Sequence, residues 1–165
     1  MNRMIRIASR KDLPAIMEVL SAARETMRRS GNPSQWPEGY PSREMILRDM
    51  DTGAGHVMEE DRAIVGYFAF VPSPEPTYAV IYDGAWLEDT EPYHVIHRIA
   101  GLPQTHGVFR TIMQWCFDRE RNIRIDTRRD NAIMRHCIGK AGFSYCGIIH
   151  LANGDERLAY QKVRE

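Results

Sequence analysis

The stretch from residue 93 to residue 142 constrains the fold more than any other part of the chain. It predicts a strand at 93–100, a turn at 101–107, a helix that begins at 108, a short strand at 123–127 and a helix from about 130. The two helices are indicated by apolar residues that recur three and four positions apart. Because strands and helices in alternation favour a sheet covered by helices, this stretch predicts an α/β domain.

The rest of the chain predicts five further strands and two further helices. The strands cover residues 4–8, 56–60, 63–71, 143–150 and 157–163, and the helices cover 12–31 and 42–53. Asp12 stands at the N-cap position of the longer helix and Ser42 at that of the shorter one. Residues 78–90 are expected to be mostly loop. We therefore expect one α/β domain over residues 1–165, with about seven strands in a mixed, mostly antiparallel sheet and about four helices.

Composition excludes several classes of protein. Lys plus Arg number 22 and Asp plus Glu number 22, so a formal charge of zero gives no broad attraction to nucleic acid or to an anionic membrane. No apolar stretch approaches the roughly 18 residues of a transmembrane helix. Three cysteines without a CxxC pair argue against a disulfide framework or a zinc ribbon. They favour a reducing compartment, so we expect a cytoplasmic protein.

The turn at 101–107 is a candidate anion site. A strand that enters a helix through a glycine-containing turn leaves the first helical N–H groups unpaired, and the helix dipole there favours negative charge. The amides at this corner belong to Gln104, Thr105, His106, Gly107 and Val108. A plain turn, in which glycine supplies the geometry and Thr105 caps the helix, is an equally good interpretation.

Several short motifs, taken in order, resemble the GNAT superfamily of acyl-CoA-dependent N-acetyltransferases. They are Ile5-Arg6-Ile7-Ala8 with Asp12-Leu13-Pro14, Ile64-Val65-Gly66, His97-Arg98-Ile99-Ala100, Gln104-x-x-Gly107, Asp126-Thr127, Asn131 and Lys140-Ala141-Gly142-Phe143. No single motif is diagnostic, but together their order and spacing cover nearly the whole chain.

The resemblance implies a sheet in which strands 93–100 and 123–127 part like a V, with acetyl-CoA as co-substrate in the cleft. The pantetheine arm would pair with the backbone of Ile99, Ala100 and Gly101. The amides expected to hold the pyrophosphate belong to Gln104, Thr105, His106, Gly107, Val108, Phe109 and Arg110. Asn131 matches a position whose side chain commonly bonds to the pantetheine arm. The implied activity is transfer of acetyl to a small amine or a peptide amine, by direct attack in a ternary complex.

Two positions depart from the family pattern. Phe109 stands where relatives have Gly or Ala, so its ring either crowds the phosphates or points into the core with its helical neighbours. Ile138 stands where many relatives have the tyrosine that protonates the departing thiolate. Tyr145, Cys137 or a water molecule could take that role, although a thiol with a pKa of roughly 8–9 leaves with modest help. These departures motivate an alternative function, a catalytically weak or inactive acyl-CoA sensor.

Acetyl transfer needs a base for the amine and a donor for the developing oxyanion. The N–H groups of Ile99 and Ala100 are the candidate donors, because a bulge in that strand would leave one of them free. The candidate bases, acting directly or through water, are His97, Asp83, Glu88 and Glu91.

The acceptor pocket is expected to contain aromatic side chains from loops, namely Trp36, Tyr40 and Trp86. Trp36 and Tyr40 could equally cover the edge of the core. No metal site is expected, since His94 and His97 point to opposite faces of one strand. The sequence leaves the oligomeric state open, and a homodimer through sheet edges or the C-terminal hairpin is the form we consider.

Overall fold

Seven strands and four helices follow one another in the predicted order. In the computed structural model, which describes residues 2–165, the strands are β1 (Arg3–Ile7), β2 (Gly55–Glu60), β3 (Ala63–Pro72), β4 (His94–Gly101), β5 (Asn122–Thr127), β6 (Ser144–His150) and β7 (Glu156–Val163). The helices are α1 (Leu13–Arg29), α2 (Arg43–Asp51), α3 (Val108–Phe117) and α4 (Ala132–Lys140). Short 3₁₀ turns cover Arg10–Asp12 and Pro76–Tyr78. The predicted α/β class is confirmed.

The strands form one mixed sheet in the order β1-β2-β3-β4-β5-β7-β6. Neighbouring strands are antiparallel except β4 and β5, which are parallel. A parallel pair needs a crossover connection, and the segment that contains α3 provides it. The parallel pair therefore joins a four-stranded half of the sheet to a three-stranded half.

Helices cover both faces of the sheet, because strand side chains alternate between the faces. On one face, α3 and α4 bury Ile112 and Ile138 against Phe68 of β3 and its neighbours. On the other face, α1 and α2 pack against Tyr67 and Val57 of the four-stranded half. The core thus consists of two layers of side chains, one on each face of the sheet.

The two N-caps predicted from sequence behave differently. Ser42 caps α2, and its hydroxyl accepts a hydrogen bond from the Met45 N–H at 3.2 Å. Asp12 stands at the start of α1, but its carboxylate does not cap that helix. It accepts instead from the Ser9 N–H at 2.8 Å and from both terminal nitrogens of Arg6, at 2.8 and 2.9 Å. Asp12 therefore joins β1 to the start of α1.

The expected loop at 78–90 is irregular, but buried side chains anchor it. Tyr78 and Trp86 are 2% and 8% exposed, and the indole N–H of Trp86 donates to the Tyr78 carbonyl at 3.1 Å. Gln161 of β7 accepts from the Leu87 and Glu88 N–H groups through its side-chain oxygen. The loop packs against the three-stranded half through a core cluster that includes Tyr78, Trp86 and Ala159.

None of the helices described within residues 2–165 combines the length and hydropathy needed to cross a membrane. The expected cytoplasmic location and the homodimer stay predictions.

Candidate active site

β4 and β5 separate along most of their length. They pair at two positions, His94 with Ile123 and Val95 with Arg124. β4 continues to residue 101 and β5 to residue 127, but no further pair joins them within the described part of the chain. The backbone edge at 96–101 that faces β5 therefore has no strand partner. The predicted V-shaped division of the sheet is confirmed.

β4 also contains a bulge opposite Phe68. His97 pairs with Ala69 and Ala100 pairs with Tyr67, so Arg98 and Ile99 together oppose a single residue of β3. The φ angle of Arg98 is +54°, a left-handed conformation that residues other than glycine seldom adopt. A bulge leaves one residue without a partner in the ladder, which is the condition for a free N–H near Ile99.

The bulge changes which side chains of β4 share a face. Simple alternation predicts His97 and Ile99 on one face. The structure instead packs Ile99 with Ile96 on the α3 side, while His97 lies on the opposite side beside Glu75. Ala100 correspondingly packs with the α1 side rather than with Ile96. Simple alternation fails here because one extra residue in a strand shifts every later side chain to the other face.

A buried ion pair holds the bulge. Arg98 donates to both oxygens of Asp49, at 2.9 and 2.7 Å, and the Tyr67 hydroxyl donates to the same carboxylate at 2.6 Å. The side chains of Arg98 and Asp49 are 13% and 8% exposed. Burial, and then the Asp49 carboxylate, raise the pKa of Tyr67, so its hydroxyl stays a donor. The network ties α2 to the left-handed residue of β4.

A cavity of about 370 Å³ opens where β4 and β5 part. Four of the residues expected at the site line it, namely His97, Ile99, Trp36 and Tyr40. Trp36 is buried and packs edge-on against Tyr40, with ring centroids 6.3 Å apart. The cavity is also lined by polar side chains that the sequence did not single out as site residues, among them Gln35, Glu75, Asp126 and Arg157.

His97 and Glu75 form a hydrogen-bonded pair in the cavity wall. Nε2 of His97 lies 3.0 Å from Oε1 of Glu75, and Oε2 accepts from the Thr77 N–H at 3.1 Å. The bond to His97, more than any other contact, lowers the pKa of Glu75 against the opposing effect of burial. An ionised carboxylate can only accept, so Nε2 carries a proton toward Glu75, and in the neutral imidazole Nδ1 is the nitrogen with the lone pair.

Asp126 of β5 lies across the opening on the same face as His97. The Tyr78 hydroxyl donates to Oδ2 of Asp126 at 2.6 Å. Burial, and then the charge of Asp126, raise the pKa of Tyr78 well above its ordinary value, so this hydroxyl also stays a donor. Oδ1 of Asp126 accepts no hydrogen bond within the described chain. This carboxylate is therefore fixed in position with one oxygen available.

Asn131 is engaged by the protein itself. Its Oδ1 accepts from the Met134 N–H at 3.0 Å and so caps α4, and its Nδ2 donates to Oε1 of Gln35 at 3.2 Å. Gln35 Oε1 also accepts from Thr127 and from the Arg128 N–H, both at 3.3 Å. Gln35 and Asn131 thus connect the loop after α1 to the end of β5. A bond from Asn131 to a pantetheine arm stays a prediction.

The N-terminus of α3 lies at the end of the turn after β4. Gly107, with φ +73°, stands at the N-cap, so the alternative in which Thr105 caps the helix is wrong. The Thr105 N–H instead donates to the Leu102 carbonyl at 3.0 Å. Phe109 is half-buried and packs against the core cluster beneath α3. Gln104, His106, Gly107 and Arg110 are exposed at this helix end.

One solved structure is similar enough to this chain to identify its family. A GNAT-family acetyltransferase from Streptococcus agalactiae 2603, known from a crystal structure, is 34% identical to this chain. The match covers 99% of this chain and 96% of that one, with a TM-score of 0.90. The chain belongs to the GNAT family. It is therefore an acyltransferase.

More distant structures share the fold. The GNAT-family acetyltransferase from Bacillus cereus ATCC 10987 is 18% identical, with a TM-score of 0.63 over 100% of this chain and 99% of that one. The ribosomal-protein-S18-alanine N-acetyltransferase from Escherichia coli is 14% identical, with a TM-score of 0.62 over 99% and 96%. No sequence model of a protein family matches the chain, and no curated protein matches it.

Several residues expected at the site of this GNAT acetyltransferase lie away from the cavity. Trp86 is buried over the guanidinium of Arg124, which lies 4.0 Å from its ring centroid. Tyr145 is 51% exposed on β6 and packs edge-on against Tyr160. Neither side chain lines the cavity.

Of the four candidate bases, His97 alone lines the cavity; Asp83, Glu88 and Glu91 do not. Glu88 accepts from the Thr90 N–H at 2.7 Å, and Glu91 pairs with Arg121 at 2.5 Å. These carboxylates therefore have local partners in and beside the 78–90 loop.

No proton donor occupies the position at which many relatives have the general acid. Ile138 is 0% exposed in the core cluster beneath α3 and α4. Cys137 does not line the cavity, and burial raises the pKa of its thiol. No group of three or more His, Cys, Asp or Glu side chains that could hold a metal ion is found among residues 2–165.

Proposed function

We propose that this GNAT acetyltransferase moves the acetyl group of acetyl-CoA to an amine by direct attack in a ternary complex. The observation that carries the proposal is the unpaired edge of β4, which faces a cavity containing the His97–Glu75 pair. An extended ligand can add to an unpaired strand edge through backbone hydrogen bonds. The pantetheine arm carries amides of the required kind, so we assign it to the edge at Ile99, Ala100 and Gly101.

The N-terminus of α3 is the proposed site for the pyrophosphate. The first N–H groups of a helix lack intrahelical partners, and the dipole there attracts negative charge. The proposed donors are the amides of residues 104–110, from Gln104 to Arg110. Because Phe109 packs against the core cluster, its ring leaves this helix end open. A large residue at position 109 therefore does not block the proposed phosphate site.

His97 is the proposed base. In the neutral imidazole Nε2 donates to Glu75 and Nδ1 keeps a lone pair, so His97 can accept a proton from the ammonium group of the acceptor, directly or through water, before the amine attacks. The amine nitrogen then bonds to the thioester carbonyl carbon, and the carbon–sulfur bond breaks as the tetrahedral intermediate collapses. The nitrogen loses its second proton to water as the amide forms, CoA leaves as a thiolate that takes up a proton from water, and His97 returns its proton to solvent; a thiol with a pKa of roughly 8–9 needs little help to leave.

The bulge supplies the proposed oxyanion donor. A free N–H at Ile99 or Ala100 would point into the gap, where the thioester carbonyl develops negative charge. Removal of one such donor from an enzyme typically costs about 10²–10³ in rate. The Arg98–Asp49 pair is therefore a positioning device, since it holds the residue that opens the bulge.

The second candidate function is a catalytically weak or inactive acyl-CoA sensor. It is favoured by the fully buried Ile138, which removes the usual acid. We favour the enzyme because the cavity contains a paired histidine with a free nitrogen.

Release of free thiol from acetyl-CoA, measured on a panel of amines, amino acids and peptide N-termini, tests the proposal. The His97→Gln variant should lower kcat by about 10²–10⁴-fold while CoA affinity by calorimetry stays unchanged. His150→Gln is the matched control, because His150 is exposed on β6 and outside the cavity. Saturable CoA binding without turnover on any amine would support the sensor. No CoA binding at millimolar concentration would contradict both functions.

A further inference from the structure

Arg157 is a buried cation in the cavity wall. It lies at the start of β7, is 5% exposed and lines the cavity. Its neighbour Leu158 pairs with Thr127 at the end of β5, so Arg157 stands just beyond the point where β5 ends. Strand alternation places it on the opposite face from Leu158, the face that also holds His97 and Asp126.

Arg157 lacks a charged partner. Its single hydrogen bond within the described chain runs to the Glu156 carbonyl at 2.9 Å, and no carboxylate of residues 2–165 lies within 4.0 Å of it. The Glu156 carboxylate is engaged by Arg129, and Arg98 is engaged by Asp49. Charged side chains are almost never fully buried without a partner, because loss of hydration is costly. The remaining nitrogens of Arg157 keep some contact with solvent, and the side chain lines the cavity.

The same cavity carries negative charge elsewhere in its wall. Both oxygens of Glu75 are occupied, by His97 and by the Thr77 N–H. Asp126 has Oδ1 available, because its Oδ2 alone accepts from Tyr78. Asp155, also in the wall, is exposed, and its Oδ2 accepts from Nδ2 of Asn153 at 3.4 Å. The wall therefore presents one unpartnered guanidinium together with available carboxylate oxygens on Asp126 and on the exposed Asp155. A ligand that bears both an ammonium and an acid group satisfies both.

We propose that the acceptor is a small amine that also carries a carboxylate, as an amino acid does, with Arg157 binding the carboxylate. This inference rests on the proposed function and specifies its substrate class. Arg157 can bind a carboxylate through two parallel N–H donors, which fixes orientation as well as charge. Asp126 would hold the ammonium beside His97 before the proton is removed. The volume of about 370 Å³ is near the lower end of the roughly 300–1,000 Å³ typical of small-molecule pockets.

The test compares amino acids with their α-carboxamides in the thiol-release assay. Each pair has nearly the same size, and because amidation also lowers the pKa of the α-ammonium, kcat/KM is compared per concentration of free amine so that the comparison isolates the charge of the acid group. For the wild-type enzyme, kcat/KM should be about 10- to 100-fold lower for the amide than for the acid of the preferred pair. Arg157→Gln should raise the KM for the acid by a similar factor and leave the KM for the amide nearly unchanged.

Arg129→Gln is the matched control, since Arg129 is an exposed arginine paired with Glu156 one residue from Arg157. It should change neither KM. Calorimetric CoA affinity and thermal unfolding of Arg157→Gln show whether the fold and the CoA site are intact. If that variant fails to fold, the acid-to-amide ratio of the wild-type enzyme still decides.

Equal use of acids and amides, or equal loss on both in a folded Arg157→Gln, overturns the substrate class and leaves the acetyltransferase proposal standing. Thiol release from no amine at all overturns both.

Discussion

Asp49→Asn should destabilise the protein far more than its position on a short helix suggests. The substitution keeps the shape of the side chain but removes the charge that two nitrogens of Arg98 and the Tyr67 hydroxyl contact. Arg98 would be left with a side chain 13% exposed and no counter-charge. Removal of one partner from a buried pair costs about 3–5 kcal/mol, and we expect a loss of this size.

Asp51→Asn is the matched control on the same helix. Asp51 pairs with Arg10, but those side chains are 60% and 69% exposed, and exposed pairs contribute roughly 0–1 kcal/mol. The measurement is urea unfolding followed by circular dichroism, with equal slopes required for the comparison. A loss below about 1 kcal/mol in Asp49→Asn, no larger than that in the control, would refute the reasoning about burial.

The same variant has an expected effect on catalysis. A left-handed backbone costs a residue other than glycine about 1–2 kcal/mol, and the ion pair holds Arg98 in that conformation. Without the pair, the bulge relaxes and the proposed oxyanion donor moves. We therefore expect kcat to fall at temperatures where the variant is folded, with the KM for acetyl-CoA nearly constant. An unchanged kcat in a folded variant would show that the bulge does not depend on Asp49.

Two further predictions concern stability. Arg6 lowers the pKa of the buried Asp12 carboxyl from 3.8 to about 2 in the folded state. The ionised carboxylate therefore contributes about 2 kcal/mol of stability above pH 4, and this contribution is lost as the pH falls through 2. The difference in unfolding free energy between wild type and Asp12→Asn should shrink in urea titrations from pH 6 to pH 2.5, and a constant difference would contradict the assignment. A Cβ on Gly84 would lie 1.9 Å from the Cys146 carbonyl oxygen, so Gly84→Ala should cost about 1–3 kcal/mol in thermal unfolding. Gly139 lies in open space on α4, so Gly139→Ala should stabilise the protein by about 0.5–1 kcal/mol. Effects of the same sign in the two variants would be incompatible with this packing.

The order of elements could be predicted because it depends on local patterns. The apolar spacing of α1 and α3 and the turn residues between strands are short-range features that the structure reproduces. The exact position of the bulge in β4 could not be predicted, because nothing near Arg98 in the chain marks a left-handed residue. The Arg98 side chain is held by Asp49 of α2, which is 49 positions away in the chain.

The candidate site could be predicted only in part, because some of its residues belong to local motifs and others are placed by long-range contacts. His97 and Ile99 belong to a motif shared with the family, and Trp36 and Tyr40 lie in a loop that returns to the sheet. Trp86 was misplaced because its contacts with Tyr78 and Arg124 are long-range.

Other members of the cavity wall were missed as site residues. Glu75 stands between two prolines, a setting that indicates the end of a strand and gives no hint of a histidine partner. Asp126 belongs to the Asp126-Thr127 motif of the family resemblance, and that motif could have indicated a site residue. Arg157 carried none, since its lack of a partner is a property of the folded chain.

A crystal structure of the protein grown with acetyl-CoA tests the central claim most directly. The account predicts the thioester arm in hydrogen-bond contact with the backbone at residues 99–101, in the gap beside β5, with both phosphates on the amides that begin α3. Electron density for the co-substrate on another surface, with that gap empty, would contradict it.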